Sequence, residues 1–270
     1  MLASCSTFSV DETLLLQPMR SVTPQTFARL GLDGFTLEEH FFESDDGTQL
    51  HGWFVSRPDR APGHEQPTVV LFGGVGFYLV HSTQFLELYA ALDVDAFLWD
   101  YRGYGLSDGT ATLPVMKADA LSVIDFVEQG LGVSGPIVAH GHSIGTFVAS
   151  YAAEHRGLRA LVLESPVSNA EHWLRSAVPG VVRRLVRVEV MNGLAEADNT
   201  ARLADFPGPT FLAVGSEDFV TPPAMAEMLY ELNGAGWKRL YIQVDGDHNS
   251  LPGDDGFRDG FRALLSAVRG

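Results

Sequence analysis

The sequence predicts an α/β fold, a mostly parallel sheet of about eight strands flanked by helices. Short, almost wholly apolar runs recur along the chain, the pattern of strands buried on both faces. Amphipathic segments of helical period lie between them. An antiparallel start, marked by Asp46-Gly47 between two strand-like runs, precedes the alternation.

The opening pair is Phe35–Glu43 and Gln49–Val55, at an edge of the sheet. Thr68–Phe72, Ala96–Trp99, Ile137–His140, Ala160–Leu163, Thr210–Val214 and Leu240–Val244 follow as parallel strands. Helices are expected over Gln84–Leu92, Pro114–Gln129, Ile144–His155 and Phe257–Val268, with Gly130 and Gly157 as C-terminal stops. Between Leu163 and Thr210 lie about 45 residues, far more than an ordinary connection. An inserted cap over residues 165–207 is the expectation, with a helix over Trp173–Val186 interrupted at Pro179-Gly180. Residues 1–34 then form an N-terminal extension, and 35–270 a single domain carrying that insertion.

Composition narrows the function. At 270 residues, 46% hydrophobic and 19% charged, the chain suits one large globular domain. A net charge of −16 repels phosphate backbones, so nucleic acid is not expected as a partner. The single cysteine, Cys5, permits neither an intrachain disulfide nor a paired-cysteine zinc site. No apolar run reaches the ~18 residues of a spanning helix. Leu2-Ala3-Ser4-Cys5 resembles a lipobox but lacks the basic and apolar regions that precede one. A cytoplasmic protein is the expectation as the sequence stands; a lipoprotein anchored at Cys5 is the alternative if the start lies upstream.

The chemistry gathers around Gly141-His142-Ser143-Ile144-Gly145, a G-x-S-x-G pattern between a predicted strand and a predicted helix. Glycines suit the tight turn, which lifts the Ser143 hydroxyl outward and sets the Ile144 amide at a helix N-terminus. A serine hydroxyl needs a base. His248, after the last strand, is the only histidine beyond His172. His142 is expected to point away along the turn. Asp218, after the preceding strand, is the candidate acid, with Glu217 and Glu164 as rivals. Gly73-Gly74 follows the first core strand, and the Gly74 amide is the candidate second oxyanion donor, Val75 its alternative.

These pieces resemble the α/β-hydrolase superfamily. The matching stretches are DGTQLHGWFV (46–55), LFGG (71–74), DYRGYGLSDG (100–109), GHSIG (141–145), GSEDFVTP (215–222) and GDHNSL (246–251). They are most similar to its small-capped esterase, thioesterase, monoacylglycerol-lipase-like and serine aminopeptidase-like branch. Relatives often carry His-Gly where this chain has Phe72-Gly73. The resemblance implies a Ser143–His248–Asp218 triad, an oxyanion hole from Gly74 and Ile144, and no cofactor or metal. It implies a small-molecule ester or thioester substrate, with an aminopeptidase or a non-catalytic binding protein as alternatives. Arg175, Arg183, Arg184 and Arg187 form a basic island in the cap; membrane contact there, or through a lipidated Cys5, is the less favoured reading.

Overall fold

The computed structural model describes residues 6–10, 16, 34–60, 65–77, 79, 82–177 and 186–269. A first strand, β1 (Ser6–Val10), lies outside the main sheet. The main sheet opens with β2 (Thr36–Glu43) and β3 (Gln49–Ser56), antiparallel partners. Gly47, at φ +81°, closes the turn between them, a conformation glycine adopts without strain.

Then come β4 (Thr68–Phe72), α1 (Thr83–Leu92), β5 (Asp95–Asp100), α2 (Leu113–Asp125), β6 (Ile137–His142), α3 (Gly145–Arg156) and β7 (Ala160–Glu164). The predicted helix over Pro114–Gln129 ends in a wider turn over Phe126–Gly130. The Thr112 side chain caps α2 by accepting from the Val115 amide, and Pro114 sits in its first turn.

After β7 the chain leaves the sheet. It forms α4 (Ala170–Ala177), β8 (Val186–Val190) and α5 (Asn199–Asp205) before rejoining as β9 (Thr210–Gly215). The expected helix over Trp173–Val186, interrupted at Pro179-Gly180, is met in part. Its described portion lies in α4, residues 178–185 lie outside the described residues, and Val186 opens a strand rather than ending a helix. Val186-Arg187-Val188-Glu189-Val190 alternates with the period of a strand, and it pairs in parallel with β1 from Ser6↔Val186 to Val10↔Val190. Pro179, Gly180, Arg183 and Arg184 lie outside the described residues, as does Cys5. The fold closes with α6 (Pro223–Leu232), β10 (Lys238–Gln243) and α7 (Asp255–Arg269).

Eight strands form the main sheet in the order β10-β9-β7-β6-β4-β5-β3-β2, parallel from β10 through β5. The apolar runs explain the layers. In β4, Val70 and Phe72 face a core shared with α2 and α3, while Val69 and Leu71 face one shared with α1 and α7. Each such side chain, fully buried, stabilises the fold by about 1.5–3 kcal/mol. Phe72, at the position where relatives carry histidine, is buried edge-on against Trp99 at 6.2 Å. The order also fixes the crevice. The crossover from β5 to β6 passes over β4, so chain connections diverge at β4 and β6. Loops at the carboxyl ends of such strands part and leave a cleft.

Candidate active site

Four loops at the carboxyl ends of β4, β6, β9 and β10 bring the candidate residues together. Ser143 follows β6 directly and sits at φ +55°, a left-handed conformation that costs a non-glycine residue about 1 kcal/mol. Its amide donates to the Glu164 carbonyl (3.0 Å), and its carbonyl accepts from the Thr146 amide and hydroxyl (3.0 and 2.6 Å). Those bonds hold the turn against its strain. A Cβ on Gly145 would collide with the Phe72 and Gly73 carbonyls, so only glycine lets α3 start this close to β4.

The Ser143 Oγ lies 3.1 Å from His248 Nε2. His248 Nδ1 lies 2.8 Å from Asp218 Oδ2. Nδ1 carries the proton on that side, because an ionised carboxylate only accepts. Asp218 also accepts from the Val220 amide (2.9 Å), the Thr221 amide (2.8 Å) and the Thr221 hydroxyl (2.8 Å). Burial opposes its ionisation, yet the bonds from His248 and Thr221 outweigh that and hold its carboxyl below the usual carboxylate range.

The rival acids sit elsewhere. Glu217 is exposed. Glu164 is wholly buried and lies 3.0 Å from Nε2 of His140, whose Nδ1 meets the Tyr89 hydroxyl at 2.8 Å. Asp100 and Arg102 are scaffold. Asp100 accepts from the Leu79 amide (3.0 Å) and meets His51 Nδ1 at 2.8 Å, while Arg102 bridges Asp119, Asp46 and Ser44.

His142 corrects an expectation. It does not point away: it lines the same cavity as Ser143, and its Nε2 lies 3.1 Å from the His248 carbonyl oxygen. The reason is register. His142 is still in β6, paired with Glu164 of β7, so its side chain leaves the strand on the face opposite Gly141 and meets the loop after β10. The Ser165 hydroxyl donates to that same carbonyl at 3.2 Å.

The Gly74 loop closes the other side. A Cβ at Gly74 would stand 2.9 Å from His142 Nδ1 and 3.3 Å from Ser143 Cβ, so the backbone passes directly over the serine. No hydrogen bond occupies the amides of Gly74, Val75 or Ile144 among the described residues. Ile144 precedes the first turn of α3, where amides have no intrahelical acceptor. The cavity in front measures about 430 Å³, walled by Val75, Phe77, Phe85, Trp173 and Val220. Trp173, from α4, donates its indole N–H to the Val220 carbonyl at 2.9 Å.

Several of these residues escape the sequence reading. Asp218-Phe-Val-Thr221 carries a local signal, since an aspartate that caps the amides two and three residues on is a recognisable turn. Ser165 and Trp173 carry none. The basic island is also less basic than its sequence. Arg175 bonds Glu171 at 3.0 Å, and the two help line a separate cavity of about 560 Å³ with Glu189 and Asp198.

Known proteins agree with this architecture. Residues 63–196 match the profile of the serine aminopeptidase family, S33. The uncharacterized protein YfhR of Salmonella typhi is 30% identical over 223 residues, covering 77% of this chain and 73% of that one. The chain belongs to the α/β-hydrolase superfamily. Among solved structures its fold is similar to that of the Pyrococcus furiosus esterase Pf2001, with TM-score 0.71, 17% identity, and coverage of 95% of this chain and 98% of that one. The acetyl xylan esterase of Paenibacillus sp. R4 has TM-score 0.68 and 19% identity, with coverage of 88% and 85%. Within the superfamily this α/β hydrolase has no helix, among its described residues, long and apolar enough to cross a membrane.

Proposed function

We propose that this α/β hydrolase cleaves carboxylic esters, or thioesters, of small to medium acyl chains through an acyl-enzyme on Ser143. The observation that carries the reading is the unbroken chain Ser143 Oγ, His248, Asp218, with separations of 3.1 and 2.8 Å. His248 Nε2 takes the hydroxyl proton as Oγ attacks the carbonyl carbon. Asp218 fixes the imidazole tautomer and stabilises the imidazolium. The carbonyl electron pair moves to oxygen, where the Ile144 amide and the Gly74 amide, or that of Val75 beside it, receive the charge. His248 returns the proton to the leaving alcohol or thiol. Water, deprotonated by His248, then attacks the acyl-enzyme and releases the acid. None of these steps requires a metal or organic cofactor. Residues 165–207 act as a small cap whose Trp173 walls the site.

Aminopeptidase action is the second reading, suggested by the matched profile. It needs an acidic anchor for the substrate amine near the serine. Glu171 and Glu189 face the separate cavity beside α4, while Trp173 faces the one in front of Ser143. That favours the ester reading. Ser143→Ala should lower p-nitrophenyl butyrate hydrolysis by several orders of magnitude, with the circular dichroism spectrum unchanged. A fluorophosphonate adduct should form at Ser143 in the wild type alone. Full activity in Ser143→Ala, or faster turnover of aminoacyl p-nitroanilides than of esters, contradicts the proposal.

A further inference from the structure

His142 holds an acceptor that the hydrolytic steps leave unused. Its Nε2 lies 3.1 Å from the His248 carbonyl oxygen, which can only accept, so Nε2 carries the hydrogen. In a neutral imidazole the other nitrogen is then a bare lone pair. Burial disfavours the imidazolium and lowers the His142 pKa, while Glu164 acts in the opposite sense. Nδ1 therefore stays an acceptor at neutral pH. It has no hydrogen-bond partner among the described residues. A Cβ at Gly74 would stand 2.9 Å from it, and His142, 8% exposed, lines the cavity.

An unpaired acceptor beside apolar walls has a consequence. A substrate that brings a donor satisfies it; one that brings only methylenes leaves it desolvated and binds more weakly. Phe77, Phe85, Trp173 and Val220 are apolar walls, and Gln84 and Asn249 line the cavity beside Ser143 and His248.

We propose that His142 Nδ1 is a specificity-determining acceptor that selects esters bearing a hydroxyl close to the scissile carbonyl over plain alkyl esters. The inference rests on the ester-hydrolase reading above and specifies its substrate class. His142 has a second effect through Nε2, which positions His248, and the test must separate the two.

Two matched ester pairs serve as probes. Glycerol monobutyrate against propyl butyrate places hydroxyls on the alcohol side. Ethyl 3-hydroxybutyrate against ethyl butyrate places one on the acyl side. Each ratio is measured as kcat/KM in the wild type and in His142→Phe, and as a Kd ratio in Ser143→Ala and Ser143→Ala/His142→Phe, which need no turnover. Wild type should prefer the hydroxylated member of at least one pair by roughly fivefold to tenfold. His142→Phe should lower kcat for every ester and bring that preference to about one, with the same collapse in the Kd ratio. A preference absent from both pairs, or one that survives His142→Phe, overturns the assignment and leaves His142 only its hold on His248. If the wild type turns over none of the esters, the ester-hydrolase reading fails by itself, and the Kd ratios still decide the role of Nδ1.

Discussion

Against its burial, Asp218 owes its ionisation to His248 first and then to Thr221, and Thr221 also helps aim it. The Thr221 amide and hydroxyl bond different carboxylate oxygens, at 2.8 Å each, and the hydroxyl also stands 3.2 Å from His248 Nδ1. Thr221→Val removes the hydroxyl and keeps the shape and the amide. Under the triad proposal kcat/KM should fall about tenfold, the equivalent of one lost hydrogen bond, with little change in melting temperature. Equal kcat/KM in the two proteins would show that the hydroxyl does not aim the acid. His142 gives a second residue-scale expectation, in stability. Its folded-state pKa lies below the ordinary histidine value near 6.5 because burial opposes the charge. The unfolded chain therefore binds a proton that the folded chain refuses. The stability from this group is whole above about pH 6.5 and is lost progressively as pH falls below it. Denaturant titrations at pH 7.5 and 5.0 should show a smaller loss of stability for His142→Phe than for the wild type. That Ser143, His248 and Asp218 lie together could be read from the sequence because each follows an apolar strand in a short loop. The inward turn of His142 could not, because it depends on one residue of register in β6, which periodicity cannot resolve.

At the scale of elements, Arg102 ties three pieces of chain together. From the loop after β5 it bonds Asp119 of α2 through Nε and Nη2 (2.7 and 2.6 Å), Asp46 of the β2–β3 turn (2.6 and 2.9 Å) and the Ser44 hydroxyl (2.9 Å). Asp119 is 1% exposed, so its charge depends on that guanidinium. Removing one partner of a buried pair costs about 3–5 kcal/mol, because the other charge stays behind unpaired. Arg102→Ala should therefore lose most of that in urea denaturation. Arg102→Ala/Asp119→Ala should recover part of the loss, since the stranded charge is gone; a double variant no more stable than the single one would place the cost in packing instead. Arg102→Lys should also destabilise, as an ammonium cannot offer the fork that both carboxylates accept. The central elements could be read from sequence because each is specified locally: an apolar run for a strand, a 3.6-residue stripe for a helix, an Asp-Gly pair for the hairpin. Arg102 stood out only as part of a family-like stretch, and nothing local named Asp46 or Asp119 as its partners.

At the scale of the whole molecule, the least legible feature is the pairing of the N-terminal strand with the strand inserted after β7. β1 pairs with β8 across about 180 residues of chain, and the alternation of β8 runs for only five residues, a short signal for a strand. Pairing this distant is set by tertiary packing, which explains why Val186 was read as the end of a helix. The pairing matters because β8 contacts α4, which carries Trp173 into the site. Val10 and Leu16, each 6% exposed, belong to the same core cluster as Trp173, Ala170 and Leu194. Under the proposal that residues 165–207 form a cap, the N-terminal strand braces it through this shared core. Deleting residues 1–16 exposes the apolar surface those two side chains cover, worth about 3–5 kcal/mol together. For a domain of this size that is a fall in melting temperature of roughly 5–15 °C. The triad loops grow from β6, β9 and β10, which the deletion leaves intact. Turnover of a small ester such as p-nitrophenyl acetate should therefore persist with kcat within about twofold, while KM for longer acyl chains rises as the Trp173 wall loosens. A truncated protein with unchanged melting temperature and unchanged KM across chain lengths would show that β1 does not brace the cap.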